Sequence, residues 1–241
     1  MNVNQTVRII PTLKVNNRNI NEVFYVNTLG MKPLLEESAF LSLGDQSGLE
    51  KLVLEESPSM RTRKVEGAKK LAKLIVKVKS PSEIETLLSR METLPRLFKG
   101  KKGYAFEILS PQDHLILIHA EDDVNDLKKL DEKVDFSKND RMIYLSEFEI
   151  STEVHLPNQI KSLAEDIETD KKLIFKQGHG EDLLVENSLT WDLSMLKFQV
   201  EKLDIPSLSQ KFESVGYFVP KSEKFFLTTD INNIELWFEE V

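Results

Sequence analysis

The sequence predicts an α+β protein assembled from four βαβββ modules, set out as two domains with curved mixed sheets. Three observations carry this reading. The first 57 residues spell the order β-α-β-β-β in apolar patterning and turn residues. The order then returns: Val15 and Val78 end two similar opening strands 63 residues apart (78 − 15). Val200 ends a further opening strand 122 residues beyond Val78 (200 − 78), so the second half repeats the first.

In the first module, Thr12-Leu13-Lys14-Val15 is a short β-like run, stopped by the turn formers Asn16-Asn17. Ile20, Val23, Phe24 and Leu29 recur near helical spacing, which predicts a helix over Ile20–Leu29 with Gly30 as its C′ residue. Lys32–Glu37, Ala39–Leu43 and Leu49–Glu55 are predicted strands. The last two join across Gly44-Asp45-Gln46-Ser47-Gly48 as a hairpin.

The second module opens with the strand Lys73–Val78. Ser80-Pro81-Ser82-Glu83 then supplies an N-cap, a proline at N1 and an acid in the first turn of a helix through Ile84, Leu87, Leu88 and Met91. Strands Gly103–Leu109 and Leu115–His119 follow, joined by Ser110-Pro111-Gln112-Asp113-His114. Between Glu121 and Asp140 lie eight acids and four lysines, with Val124, Leu127, Leu130 and Val134 at helical spacing; residues 123–141 read as an acidic linker or interdomain helix.

The third module is predicted from the strand Ile150–Leu156, the helix Ile160–Ile167, a hairpin of Lys172–Lys176 and Asp182–Glu186 across Gln177-Gly178-His179-Gly180, and the strand Leu189–Leu193. The fourth has the strand Leu196–Val200, a helix opened by Asp204-Ile205-Pro206-Ser207, and strands Lys224–Thr228 and Ile234–Phe238 around Asp230-Ile231-Asn232-Asn233.

Composition narrows the chemistry. With 241 residues the chain is long enough for two small domains. A formal net charge of −8 speaks against nucleic acid as a partner. The absence of cysteine excludes disulfides, thiolate nucleophiles and sulfur-ligated metals. No apolar run reaches membrane-spanning length, and Met1–Thr6 lead straight into Val7-Arg8-Ile9-Ile10 with no basic region and apolar core. The expectation is therefore a cytoplasmic protein with no membrane contact, as a monomer or homodimer.

The module order resembles the vicinal oxygen chelate superfamily, the fold of glyoxalase I, extradiol dioxygenases and bleomycin-resistance proteins. Thr12-Leu13-Lys14-Val15-Asn16-Asn17, followed by Phe24-Tyr25-Val26-Asn27-Thr28-Leu29-Gly30-Met31, is similar to its opening strand and helix end. Ser110-Pro111-Gln112-Asp113-His114-Leu115-Ile116 is similar to its turn into a last strand. The second pair of modules diverges more than the first. In length, doubled layout and acidic linker the whole chain resembles the streptococcal CppA family, named as a complement-degrading proteinase. The resemblance implies glyoxalase/bleomycin-resistance-like domains over residues 1–122 and 142–241, and a host complement protein as a partner.

In the superfamily a His, Gln or Glu on each module's first strand and a Glu on the inward face of each last strand converge on a divalent metal. Carried onto this chain, the opening-strand positions fall on Ile10, Lys73, Ser151 and, approximately, Met195. The closing positions fall near Val53 and Leu117, with Glu235 the only acid on the pattern. Ile, Val, Leu and Met cannot ligate a hard or borderline divalent ion. No metal and no cofactor are expected, and Glu235 alone reads as a strand-end acid.

The proteinase name finds no motif. There is no His-Glu-x-x-His, no Asp-Thr-Gly or Asp-Ser-Gly, and no Gly-x-Ser-x-Gly. Ser47, in Gly44-Asp45-Gln46-Ser47-Gly48, superficially resembles a serine nucleophile but sits where a turn is expected. Of the four histidines, His114 and His119 flank one strand with odd spacing and so face opposite ways; His114, in a turn, is expected to be solvated. His155 alternates with Glu153 on a polar strand face, and His179, between glycines, is the most accessible and the best catalytic candidate. Tyr25, Trp191 and Trp237 read as core or groove-wall residues. Basic residues gather at Arg61, Arg63, Lys64, Lys69, Lys70 and Lys73, and again at Lys99, Lys101 and Lys102. Among these, Lys73, Lys101 and Lys102 are candidates for binding an anion. The function expected is metal-free binding of a small molecule or protein partner in a sheet groove. Proteolysis of a complement protein is the alternative, and a metal enzyme built on Glu235 with His155 or His179 the third reading.

Overall fold

Two mixed sheets, of eight and seven strands, carry the chain. The computed structural model describes residues 6–131, 134–139, 141–165, 167, 169 and 172–241. Module one comprises β1 (Thr6–Val15), α1 (Arg18–Val23) continued by a π-turn at Phe24–Thr28, β2 (Lys32–Glu37), β3 (Phe40–Gly44) and β4 (Glu50–Glu56). Module two comprises β5 (Leu71–Val78), α2 (Pro81–Ser89), β6 (Arg96–Lys99), β7 (Tyr104–Leu109) and β8 (Leu115–His119), followed by the two-residue β9 (Lys128–Lys129). Module three contributes β10 (Phe148–Pro157) and β11 (Leu173–Gly178). Module four contributes β12 (Leu193–Val200), α3 (Ile205–Lys211), β13 (Tyr217–Phe218), β14 (Phe225–Thr229) and β15 (Glu235–Glu240).

Strand alternation sorts each sheet into a core face and a groove face. On β1, β4, β12 and β15, the residues Leu13, Val15, Leu52, Leu54, Leu196, Phe198, Leu236 and Phe238 are buried on the core face. Phe198 stacks on Phe238 at 4.7 Å between ring centroids, and Phe212, just after α3, packs 5.9 Å from Phe238. The alternate positions, Thr12, Val53, Met195 and Trp237 among them, face the groove.

Helix ends follow the residues that predict them. Asn17 accepts the Ile20 N–H at 3.0 Å as the N-cap of α1. Gly30 closes the first helical segment at φ +71°, and a Cβ there would lie 3.1 Å from Leu87 Cδ2, so glycine also permits close packing against α2. Pro81 starts α2 after Ser80, while Glu83 accepts the Ser146 N–H at 3.0 Å and ties the helix to the segment leading into β10.

The sheet order departs from the expected pairing. The eight-stranded sheet runs β13-β14-β15-β12-β1-β4-β3-β2, and the seven-stranded sheet β11-β10-β5-β8-β7-β6-β9. Module one thus pairs with module four through antiparallel β1 and β12, and module two with module three through antiparallel β5 and β10. Each groove is built across the two halves of the chain rather than within one. Local patterning specifies a strand and its faces, but not which distant edge completes its hydrogen bonds.

Module three is cut down. The helix expected over Ile160–Ile167 falls partly on residues outside those described, and the described ones form turns at 163–165. Asp230 accepts both the Ser162 hydroxyl at 2.5 Å and the Leu163 N–H at 2.8 Å, so those groups serve a contact between modules. The expected 172–186 hairpin is also absent. β11 pairs in parallel with β10, and Glu181–Leu184 form a 3₁₀ turn because Asp182 is held by Arg63. Leu189–Leu193 contribute a single bridge, Arg63 to Thr190, before β12. In the acidic linker the described residues hold a 3₁₀ turn at Val124–Asp126 and β9, with no α-helix among them. No helix among the described residues is long and apolar enough to cross a membrane.

Candidate functional site

The groove of the eight-stranded sheet holds a cavity of about 430 Å³. Strand register builds its floor as a row: Val53 on β4 pairs with Thr12 on β1, Thr12 with Met195 on β12, and Met195 with Glu235 on β15. Ser42 on β3 extends the row beyond Val53. Phe40 and Leu35 form one wall and Trp237 the other. Trp237 is fixed from behind by Phe225, stacked at 3.8 Å, and its indole N–H donates to Glu239 Oε2 at 2.9 Å.

Charge lies at both ends of this apolar floor. At one end Lys197 Nζ pairs with Glu50 Oε1 at 2.7 Å, while Ser42 donates to the other oxygen of Glu50. Glu239 accepts a second hydrogen bond, from Gln199 Nε2 at 3.0 Å. At the other end Lys14 meets Glu55 at 3.3 Å, and Ser194 donates to Glu55 at 3.1 Å. Glu235 has neither a hydrogen bond nor an ion pair among the described residues. Burial, with the like charge of Glu55, raises its carboxyl above the usual range, against the pull of Lys14.

These residues do not fit a divalent metal. The row that would supply ligands offers Val53, Thr12 and Met195 with a single carboxylate, Glu235. Ile10, matched from sequence to one ligand position, lies buried two residues before Thr12. No group of three or more His, Asp or Glu side chains able to hold a metal ion occurs among the described residues. A hard or borderline cation needs several oxygen or imidazole donors converging on one point, and this groove lacks them.

In the groove of the seven-stranded sheet, register sets Ser151 opposite Ile75, Ile75 opposite Leu117, Leu117 opposite Glu107, and Glu107 opposite Arg96. Ion pairs span it. Lys73 Nζ lies 2.5 Å from Glu107, Arg96 bonds the other oxygen of Glu107 at 3.1 Å, and Lys176 pairs with Glu153 at 2.6 Å.

The other candidates are dispersed. Ser47 donates through its hydroxyl and, at 2.9 Å, its N–H to Asp45, whose second oxygen accepts the Phe148 N–H at 3.1 Å. Burial would raise the Asp45 carboxyl, but these bonds and Lys51 outweigh it and lower it. Ser47 is therefore part of a clasp between the β3–β4 turn and β10. His179 lies after β11, 3.3 Å from Asn158, and no contact joins it to Ser47. Lys101 pairs with Asp126 at 2.9 Å and Lys102 with Asp122 at 2.6 Å, so the acidic linker neutralises the basic turn.

Arg63 and Lys70 of the first basic cluster are likewise engaged. Arg63 makes a two-point contact with Asp182 at 2.7 Å, and the buried Lys70 donates to Val185 O at 2.7 Å and Asn187 Oδ1 at 3.1 Å, with burial pushing its amine down to about 8. His114, expected to be solvated, is fully buried. Ser110 accepts the backbone N–H of Gln112 and His114 and folds the turn inward, and burial pushes the imidazole down to about 3. Sequence reasoning named Trp237, Met195 and Glu235 but missed Phe40, Ser42, Lys197, Glu37 and Glu239. Alternation along β12 and β15 would have placed Lys197 and Glu239 beside the named ones.

A curved mixed sheet made of two such modules, with its inward row of strand positions crossing a groove, defines the vicinal oxygen chelate class of fold. Solved structures with this likeness include a dioxygenase-like protein from Bacillus subtilis (TM-score 0.58, 12% identity, covering 98% of this chain and 86% of that one) and glyoxalase I from Zea mays (TM-score 0.52, 8% identity, 97% and 92%). Within that class, the cppA protein from Streptococcus pneumoniae TIGR4 is 65% identical, with a TM-score of 0.93 over the whole of both chains. Models of the CppA N-terminal and CppA C-terminal domains match residues 8–130 and 145–238. The chain belongs to the CppA family. No curated protein matches the sequence.

Proposed function

We propose that this protein is a metal-independent binding protein that takes a small ligand in the groove of its eight-stranded sheet. One observation carries the reading: the positions that would hold a metal are Val53, Thr12 and Met195, yet the groove above them keeps a cavity of about 430 Å³ between Phe40 and Trp237. An apolar, concave site with a few placed polar groups is the usual make-up of a small-molecule pocket. Proteolysis of a complement protein, which the CppA family name implies, calls for an activated nucleophile beside a base. Ser47 and His179 are bound up separately, in the Asp45 clasp and against Asn158.

The test is a small-molecule screen on metal-stripped protein in EDTA, read by thermal shift and by NMR of the groove residues. Hits that shift Thr12, Val53 and Trp237 together, and that a Val53→Trp variant no longer binds, support the reading. Hits that require added divalent metal would overturn it.

A further inference from the structure

We infer that the ligand of this groove is a small organic cation: an amine, quaternary ammonium or guanidinium carried on an apolar body. The inference rests on the binding reading above and adds its chemical class. The lining residues include three carboxylates, Glu37, Glu50 and Glu239, against the single ammonium of Lys197. That ammonium is already spent on Glu50 at 2.7 Å. Glu239 accepts from Trp237 and Gln199, both neutral donors, so neither bond brings a cation to its carboxylate. Glu37 has neither a hydrogen bond nor an ion pair among the described residues. Two residues from Trp237 on the same face of β15, Glu235 is likewise unpaired, and the nearest cation, Lys14, is engaged by Glu55 at 3.3 Å. The groove thus carries negative charge that no protein cation balances.

The aromatic walls favour the same class. A cation over a ring face is attracted by the ring quadrupole, most strongly over an indole. Trp237 lines the cavity, backed by Phe225 at 3.8 Å, and Phe40 lines it from β3. Val53 and Met195 on the floor suit an apolar body. An anion would meet uncompensated carboxylates, and a neutral ligand would bury Glu37 without neutralising it. The volume, about 430 Å³, accommodates a small molecule rather than a folded partner.

The experiment titrates three probes that share a benzyl group and differ in charge into the protein: benzyltrimethylammonium, benzyl alcohol and phenylacetate. The readout is the Trp237 indole N–H in ¹H–¹⁵N NMR spectra, assigned by its loss in Trp237→Phe. The expected result is a saturable shift with benzyltrimethylammonium, binding roughly tenfold weaker for benzyl alcohol, and none for phenylacetate. Glu37→Gln should weaken the ammonium by about threefold and leave benzyl alcohol unchanged. If benzyl alcohol or phenylacetate binds as tightly as the ammonium, the charge assignment is overturned while the groove remains a binding site. If none of the three moves Trp237, the charge assignment and the binding reading fall together.

Discussion

In the eight-stranded sheet, the row Ser42, Val53, Thr12, Met195 and Glu235 crosses the groove with short, apolar or unpaired side chains, and a cavity of about 430 Å³ stands above it. In the seven-stranded sheet, the corresponding row Arg96, Glu107, Leu117, Ile75 and Ser151 is bridged from above by Lys73, which meets Glu107 at 2.5 Å. Both grooves depart from a metal-binding pattern, in different ways. One replaces ligands with apolar groups and leaves room. The other replaces them with a charged pair whose partners hold each other. The charges of the second groove are held in their own ion pairs, while in the first Glu37 and Glu235 have no partner among the described residues, so the first stays available.

Acid should separate the two sheets most strongly. All four histidines belong to the seven-stranded sheet or its loops, with His114 and His119 at either end of β8. Burial pushes His114 down to about 3, and burial together with Lys77 pushes His119 down to about 4. The unfolded chain takes up these protons near pH 6.5 and the folded chain does not. The stability they contribute is therefore complete above pH 6.5 and lost as pH falls towards the folded values. By pH 4 the loss is about 3 kcal/mol for each. Urea unfolding at pH 7 and pH 4 should show it, and His114→Gln should remove about half of the pH dependence. Hydrogen exchange should show the seven-stranded sheet opening first; simultaneous opening of both sheets would break the contrast.

The next effect is on ion pairing. Glu107→Leu strands Lys73 and Arg96 opposite an apolar residue and should cost about 2 kcal/mol in urea unfolding. Glu37→Gln, in the other groove, should change stability by less than about 0.5 kcal/mol, because Glu37 holds nothing in place. Equal costs would mean that the two grooves are filled alike.

Cavity filling gives a smaller effect, in binding. Val53→Trp should weaken any groove ligand by at least about tenfold by filling the space above the floor, whereas Leu117→Trp should leave the same affinity unchanged. Calorimetry with a hit from the screen compares them directly. A last comparison restores chemistry: Thr12→His, Val53→Glu and Met195→His placed around Glu235 should confer nickel binding with a Kd of about 10 μM, since three new donors then converge on one acid. No gain in affinity would show that the row does not converge as the register implies.

Much of this fold was readable from local chemistry. Leu13 and Val15 alternate with Thr12 and Lys14, and that alternation is what buries one pair in the core and aims the other into the groove. Gly30 and Ser80-Pro81 mark helix boundaries because their backbone preferences act within one turn. The pairing of β1 with β12, whose residues Thr12 and Met195 are opposite each other, depends on distant edges and leaves no local trace. Module three misled for a related reason. Asp182 and the Ser162 segment carry strand-like or helix-like patterns, yet Arg63 and Asp230, far away in sequence, claim their polar groups. At the site, Glu235 and Trp237 could be read from the position of β15. Phe40 could not, because its value comes from facing those residues across the groove.

The central claim is that the groove of the eight-stranded sheet binds its ligand without a metal. Native mass spectrometry of the purified protein, with elemental analysis of the same sample, tests it most directly. The account predicts no stoichiometric divalent ion, and groove binding of a cationic probe that persists in EDTA. A divalent ion at one per chain, lost on Glu235→Gln, would contradict it.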